Sequence, residues 1–260
     1  MLECVVNISE GRDQSVLEAL SFAARDALLD VHTDAHHNRS VFTLVGTEAV
    51  RALAALAVRL IDLRRHSGVH PRIGAVDVVP FVALGNTSPK AALRARDDYG
   101  RWSAEHLGVP TFLYGPERTL PEIRKYAFAG LSPDFGPPQP HRSAGATAVG
   151  ARPVLVAYNL WLAKADLSLA KKIASSLRSP AVRTLGLQVG SSVQVSMNLI
   201  DPTLVGPLEV FKQVATQAQI ERAELVGLVP EAVLHTIPET WWHTLDLSIE
   251  RTIEYRIGAL

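Results

Sequence analysis

Residues 41–84 read VFTLVGTEAVRALAALAVRLIDLRRHSGVHPRIGAVDVVPFVAL. A β-branched run, an amphipathic run, a Gly/Pro-containing polar loop and a second β-branched run follow one another. Val41 to Val45 is a strand by residue type. From Thr47 to Leu63 the side chains Val50, Leu53, Ala54, Ala57, Leu60 and Ile61 recur on one helical face, with Thr47 suited to cap it. After the loop His66–Gly74, the stretch Ala75 to Leu84 carries apolar residues without alternation, the pattern of a strand buried on both faces.

Toward the N-terminus, Glu3 to Asn7 is a short strand ending in the turn-prone Ser9-Glu10-Gly11-Arg12. A helix follows from about Gln14, with Leu17, Leu20, Ala24 and Ala27 at helical spacing. Leu28–Val31 is a strand joined to Val41–Val45 by a polar loop, His32–Ser40. The order strand, helix, strand, strand, helix, strand is the split βαβ, or ferredoxin-like, unit.

Toward the C-terminus, a helix over Ser88 to Leu107, a strand Thr111–Tyr114 and a short helix Leu120 to Phe128 extend that unit, with Pro121 suited to a first turn. Residues 132–150, SPDFGPPQPHRSAGATAVG, interrupt the pattern with four prolines and three glycines, as a linker or a functional loop. Then come a strand Val154–Ala163, a helix Ser168–Leu177, a hairpin Val182–Val189 with Val193–Leu199, a helix Leu208–Ala223 and a strand Glu224–Pro230. The same order returns, so the reading is α+β with two ferredoxin-like (βαββαβ) subdomains, residues 1–147 and 148–260. The tail, including Trp241 and Trp242, is expected to pack back through a C-terminal helix.

Composition narrows the function classes. Lys plus Arg and Asp plus Glu both count 26 in 260 residues, so no bulk charge draws the chain to nucleic acid or an anionic membrane. Cys4 stands alone, which excludes an intrachain disulfide and a cysteine-based metal site and fits a reducing compartment. The start, MLECVVNISEGRD, lacks a basic region followed by an apolar one, so no signal peptide is expected. No run reaches the roughly 18 apolar residues of a membrane span. A cytoplasmic protein without membrane or nucleic-acid partners is the expectation.

The densest chemistry lies in HSGVHPRIGAVD, residues 66–77. A loop feeding a buried strand can hold side chains in a cleft while the strand anchors the backbone. Histidine takes and returns protons near neutrality, and Arg72 can grip a carboxylate with two donors. His70 reads equally as catalyst or loop residue on spacing alone, whereas His66 reads as a helix C-terminal cap. His66 and His70 stand four apart, but Gly68 and Pro71 oppose a helix there and no HExxH is present, so no metal is expected. In the loop HTDAHHNRS (32–40), His36 and His37 read as solvated, and Asn38 and Arg39 as substrate contacts. Residues 132–153 add His141, Arg142 and Arg152 as cationic donors and Gly145 and Gly150 as points of close backbone approach. No GxGxxG, P-loop or G-x-S-x-G pattern occurs, and Ser143 lacks an activating neighbour in sequence.

ECVVNISEGRD (3–13), LLD (28–30), NRSVFTLVG (38–46), LIDLRRHSGVHPRIGAVDVVPF (60–81) and GVPTFLYG (108–115) together resemble the formiminotransferase domain of glutamate formimidoyltransferases. LPEIR (120–124), PDFGP (133–137), GATAVGARPVLVAYN (145–159), QVSMNLID (194–201) and ELVGLVP (224–230) continue the match. The block around HPRIGAVD is the specific one. The resemblance implies two ferredoxin-like subdomains with a ligand tunnel between them, often in a homodimer. It also implies transfer of the formimino group of N-formimino-L-glutamate to N5 of tetrahydrofolate, in histidine degradation. By that resemblance His70 is the catalytic proton shuttle. The folate loop falls on Gly136 to Gly145, giving Gly136, Pro137, His141, Arg142, Ser143 and Gly145 as folate contacts, with Arg152 just beyond. From residue type rather than from the resemblance, Arg39 and Arg72 would bind substrate carboxylates, Asn38 and His32 would join them as substrate contacts, and Asp77 would orient a histidine or hold the loop. No cyclodeaminase half is expected in a chain of this length.

Three positions depart from the family pattern. His32 stands where the family usually has an aspartate, Val69 where it has a glutamate, and LRSPAVR (177–183) where a longer basic, Gly-rich loop is expected. The first two remove negative charge beside the presumed base. Transfer of another one-carbon group such as formyl, and folate binding without catalysis, therefore stand as alternatives.

Overall fold

The computed structural model describes residues 1–260. The chain divides into two compact units, Met1–Pro153 and Val154–Leu260. Unit 1 opens with strand β1 (Leu2–Ile8), helix α1 (Gln14–Ala24), strands β2 (Leu28–Asp34) and β3 (Arg39–Val45), helix α2 (Glu48–Leu60) and strand β4 (Val76–Ala83). Helix α3 (Pro89–Trp102), strand β5 (Thr111–Tyr114), helix α4 (Leu120–Tyr126) and strand β6 (Thr147–Ala151) complete it. Its six strands lie in the order β2-β3-β1-β4-β6-β5. The first four pair antiparallel, while β6 runs parallel to both β4 and β5.

Local chemistry explains the elements nearest the site. The Glu10 carboxylate accepts from the backbone N–H groups of Gly11, Arg12 and Asp13 at 2.9, 2.7 and 3.0 Å, folding the chain sharply after β1. Asp13 then caps α1, accepting from Ser15 and Val16 N–H, which satisfies donors that a helix start leaves unpaired. Helix α2 buries Val50, Leu53, Ala54 and Ala57 completely against the sheet. Truncating a side chain such as Leu53 to Ala costs about 2–5 kcal/mol in such a setting. β4 is buried along all but its last residue, as its apolar run required.

Unit 2 contains β7 (Val156–Leu162), α5 (Leu167–Leu177), β8 (Val182–Val189), β9 (Ser192–Leu199), α6 (Pro207–Ala215) and β10 (Ile220–Val226), followed by short helices α7 (Glu231–Leu234) and α8 (Ile253–Gly258). Its four-stranded sheet has the order β10-β7-β9-β8, antiparallel throughout. In chain-order terms this repeats the arrangement of β1 to β4. Tyr158, Leu160, Ile173, Val195, Val210 and Leu225 form its core, and the Tyr158 hydroxyl donates to the Leu245 carbonyl at 2.7 Å.

The structure corrects several boundaries. The polar loop expected over His32–Ser40 shrinks to residues 35–38, because β2 continues through His32, which stands opposite Val41. Thr47 makes no side-chain cap bond to α2. A strand, β6, was hidden in the Gly/Pro-rich interruption, and the boundary between units falls after it rather than at 147. Helix α6 ends at Ala215 instead of Ala223, and the last strand of unit 2 begins at Ile220 instead of Glu224.

Candidate active site

Three segments of unit 1 meet at one end of its sheet: the turn after β1, the β2–β3 turn, and the loop 66–75 before β4. Ser9 joins the first to the third, its N–H donating to Ala75 O and its hydroxyl to Gly74 O at 2.8 and 2.7 Å. Asn38 joins all three. Its Oδ1 accepts from Gly11 N–H and its Nδ2 donates to Ser67 O, both at 2.9 Å. It sits at φ 49°, in the left-handed region that asparagine tolerates better than most residues. Asn38 is buried and binds the chain to itself.

Arg72 does the same on a larger scale. Its Nε and Nη2 donate to His70 O, its Nη2 also to His37 O, and its Nη1 to Asn38 O, at 2.9–3.1 Å. The His66 ring lies 3.0 Å from Nη1. The guanidinium expected to grip a substrate carboxylate is thus turned onto carbonyls of both loops.

Beneath the loop lies a buried ionic group. Asp77 is fully buried; its Oδ2 accepts from Arg39 Nη1 at 2.6 Å and from Arg124 Nη2 at 2.5 Å. Its Oδ1 accepts from Arg124 Nη1 at 2.9 Å and from the Ile73 N–H at 2.7 Å. Arg39 also reaches Asn7 Oδ1 through Nε and Nη2 at 3.2 and 2.9 Å. Burial alone would raise the Asp77 carboxyl, but the two guanidiniums and the Ile73 bond hold it far below the usual carboxylate range. One carboxylate against two guanidiniums leaves a net positive site.

His70 stands half-buried beside that charge. Burial and the charges of Arg39 and Arg124 push its imidazole down to about 3, against the opposing Pro71 carbonyl and Asp77. Its Nδ1 is 2.7 Å from Pro71 O. A carbonyl only accepts, so Nδ1 carries the proton and Nε2 is the basic nitrogen. The neighbouring Val69 is 59% exposed.

The loop 132–146 reaches this region at its second half. His141 and Gly145 exchange backbone bonds at 2.7 and 2.9 Å, and the His141 Nδ1 accepts from Ala144 N–H at 3.0 Å. Ser143 O accepts from Leu63 N–H, Ala144 O from Ala75 N–H, and Ile73 O from Ala146 N–H, at 2.8–2.9 Å. Gly74 and Gly145 face each other so closely that a Cβ on Gly74 would stand 1.9 Å from Ala146 O, and one on Gly145 2.2 Å from Ile73 O. His141, Arg142, Ser143 and Gly145 are therefore brought to the His70 loop. Gly136 and Pro137 lie earlier, after Phe135, whose carbonyl accepts from Thr111 N–H. Arg152 is separated from them: it lies past the far end of β6, its N–H on Phe81 O at 3.1 Å, with the five residues of β6, about 16 Å of strand, between it and the loop.

Sequence reasoning missed two contributors. Arg124, on α4, is 47 positions from Asp77 and carries no local signal. His37, read as solvated, has a side chain only 13% exposed, with its Nδ1 2.7 Å from Asp34 Oδ2. The i, i+3 spacing of DAHH was the available clue. No group of three or more His, Cys, Asp or Glu side chains converges on a point where a metal could sit.

Residues 1–152 match the formiminotransferase domain, N-terminal subdomain. The chain is 32% identical to a glutamate formimidoyltransferase of Streptococcus pyogenes over 97% of each chain. It is 36% identical to the glutamate formimidoyltransferase of Thermoplasma acidophilum over 90% of this chain and 89% of that one. Identity to the formimidoyltransferase-cyclodeaminase of Gallus gallus is 37%, over 90% of this chain and 51% of the relative.

Proposed function

The chain belongs to the formiminotransferase family and is a transferase, and from that premise we propose that it moves a formimino group from N-formimino-L-glutamate to N5 of tetrahydrofolate, with His70 as proton shuttle. The names of the relatives support the donor, and the family's dependence on folate supports the acceptor. The observation that carries the role of His70 is its fixed tautomer, with Nδ1 on Pro71 O and Nε2 left as the base.

The reaction is an attack by the N5 amine on an amidinium carbon. The C=N electrons move to nitrogen and a tetrahedral intermediate forms, with a positive charge on N5. His70 Nε2 takes the N5 proton and returns one to the glutamate nitrogen as the C–N bond to glutamate breaks. A positioned group of this kind contributes about 10²–10⁴-fold, and alignment of two substrates can contribute more. A base held low suits this step because an aryl ammonium in a tetrahedral adduct is itself a strong acid. A substrate carboxylate arriving at ~6 Å would add about 3 kcal/mol at an effective dielectric of ~20, roughly a hundredfold in proton affinity.

The net positive Arg39–Arg124–Asp77 group fits recruitment of such carboxylates. Arg72 and Asn38 then act as positioning residues that hold the loops, in place of direct substrate contact. His141, Arg142, Ser143 and Gly145 are the folate contacts this reading retains, with Gly136 and Pro137 at the start of the same loop. The strand order common to both units fits the ferredoxin-like assignment. A cytoplasmic homodimer acting in histidine degradation is the setting this reading implies.

The test is purified protein with tetrahydrofolate and N-formimino-L-glutamate, followed for 5-formiminotetrahydrofolate. Product formation is expected. Folate binding with no formimino product, or product only from a formyl donor, would replace this reading with one of its two alternatives.

A further inference from the structure

The ring nitrogens of His70 are assigned by its partner, and those of the neighbouring His37 are too. His37 packs edge-to-face against His70 with centroids 6.1 Å apart and planes at 72°. Its Nδ1 faces the Asp34 carboxylate at 2.7 Å, and its backbone N–H donates to the other oxygen of the same carboxylate at 2.8 Å. That two-point attachment clamps the ring. The hydrogen bonds from His37 hold the Asp34 carboxyl at about 2 in spite of partial burial, so it is ionised and accepts only. Nδ1 of His37 therefore carries a proton, and its Nε2 is the exchangeable position.

A carboxylate–imidazole pair closing a turn could serve structure alone. Two features argue for more. The backbone of this turn is already held without the ring, because His37 O accepts from Arg72 Nη2 at 2.9 Å and Asn38 ties the turn to residues 11 and 67. The ring also lies against the one imidazole to which the site's charge and loops converge. Resting on the formimino-transfer reading, we propose that His37, oriented by Asp34, is a second proton-handling group that takes over from His70 the delivery of a proton to the departing glutamate nitrogen, His70 remaining the base at N5.

N5–H attacks the amidinium carbon, the N5–C bond forms, and the C=N electron pair moves to the formimino nitrogen. His70 Nε2 takes the proton from N5. Protonated His37 gives its Nε2 proton to the glutamate nitrogen. The nitrogen lone pair of the formimino group re-forms C=N, and the C–N bond to glutamate breaks with its electrons on glutamate. Total charge is unchanged: His70 has gained one proton and His37 has lost one. Exchange between the two imidazoles, or through water, resets the pair. The charges of Arg39 and Arg124 beside His70 oppose a proton stored there.

The experiment compares wild type with His37→Ala, His37→Gln and Asp34→Asn. Turnover uses formimino donors whose leaving amines differ in basicity, with and without added imidazole. The ring nitrogens are followed by nitrogen-15 NMR in the substrate-free protein. Loss of a general acid predicts that His37→Gln lowers kcat about 10²-fold, with KM for tetrahydrofolate within about threefold. The loss should grow with the basicity of the leaving amine, and imidazole should restore His37→Ala at least about tenfold. Asp34→Asn should move the His37 ring proton to Nε2, with a loss in kcat. Turnover of His37→Gln within threefold of wild type, or losses that neither track the leaving amine nor respond to imidazole in a folded variant, would overturn the proposal alone. Wild-type protein that makes no formimino product would overturn the reading on which it rests.

Discussion

Nδ1 of His70 lies 2.7 Å from the carbonyl oxygen of Pro71, its own neighbour in the chain. The proline fixes the backbone that presents that carbonyl, and the Arg72 guanidinium holds the His70 carbonyl in place on the other side. The base is therefore assigned by the loop that carries it, before any substrate arrives.

The positive environment of His70 makes its protonation late. In the substrate-free protein its ring resonances should stay in the neutral form from pH 8 down to pH 5, since burial and Arg39 push it to about 3. The folded value lies below the unfolded one near 6.5, so the folded state binds fewer protons in that interval. Acidification from about 6.5 toward 3 should then destabilise the protein through this group, and His70→Gln should remove that part of the slope. An NMR midpoint near 6.5 would contradict the electrostatic picture.

Asp77 neutralises part of two guanidiniums and holds the Ile73 N–H. Asp77→Ala should destabilise by about 3–5 kcal/mol, because it leaves buried charge uncompensated, lowering the melting temperature of the transition that includes unit 1 by roughly 6–20 °C. Calorimetry decides it. A change below about 1 kcal/mol would mean that Arg39 and Arg124 turn to other partners.

The meeting of the His70 loop with residues 141–146 needs two bare backbones. Gly74→Ala brings a Cβ to 1.9 Å from Ala146 O and should cost at least about 3 kcal/mol, at the upper end of single-residue effects. Gly258→Ala, with nothing within 4 Å and at a helix end, should stay within about 0.5 kcal/mol of wild type or improve on it. Equal stabilities in denaturant titration would refute the close packing.

His32 and Val69 each remove a carboxylate that the family pattern supplies. His32→Asp and Val69→Glu add negative charge toward a cationic amidinium, so each should raise kcat/KM for the formimino donor, by about 3–10-fold for one screened charge interaction of 0.7–1.4 kcal/mol. Lowered kcat/KM in both variants would show that the chain has adapted to their absence.

How much was legible in the sequence depended on the range of the interaction. β1 to β4 and the helices between them were readable because periodicity is local, and HSGVHPRIGAVD stood out because histidine, glycine and proline cluster in it. β6 was not, because Thr147–Ala151 follows a Gly/Pro-rich run and is built of small residues whose burial comes from β4 and β5 on either side. The overlong helix expected beyond Ala215 arose from Ala218, which continues the apolar register although the helix has already ended. Arg39 was noticed for its type, but its pairing with Asp77 and Arg124 is a product of tertiary structure. Asn38 and Arg72 stood out as donors, but that their donors meet backbone carbonyls in the structure was not legible, since donors look alike in sequence whether they meet a ligand or a carbonyl. Arg152 was grouped with a loop that the length of β6 holds it away from.

The most direct test of the central claim is the rate of 5-formiminotetrahydrofolate formation by wild type and His70→Gln, measured alongside tetrahydrofolate affinity. The expected result is a fall in kcat of about 10²–10⁴-fold with affinity unchanged within about threefold. Turnover by His70→Gln equal to that of wild type would contradict the assignment of His70 as the proton shuttle.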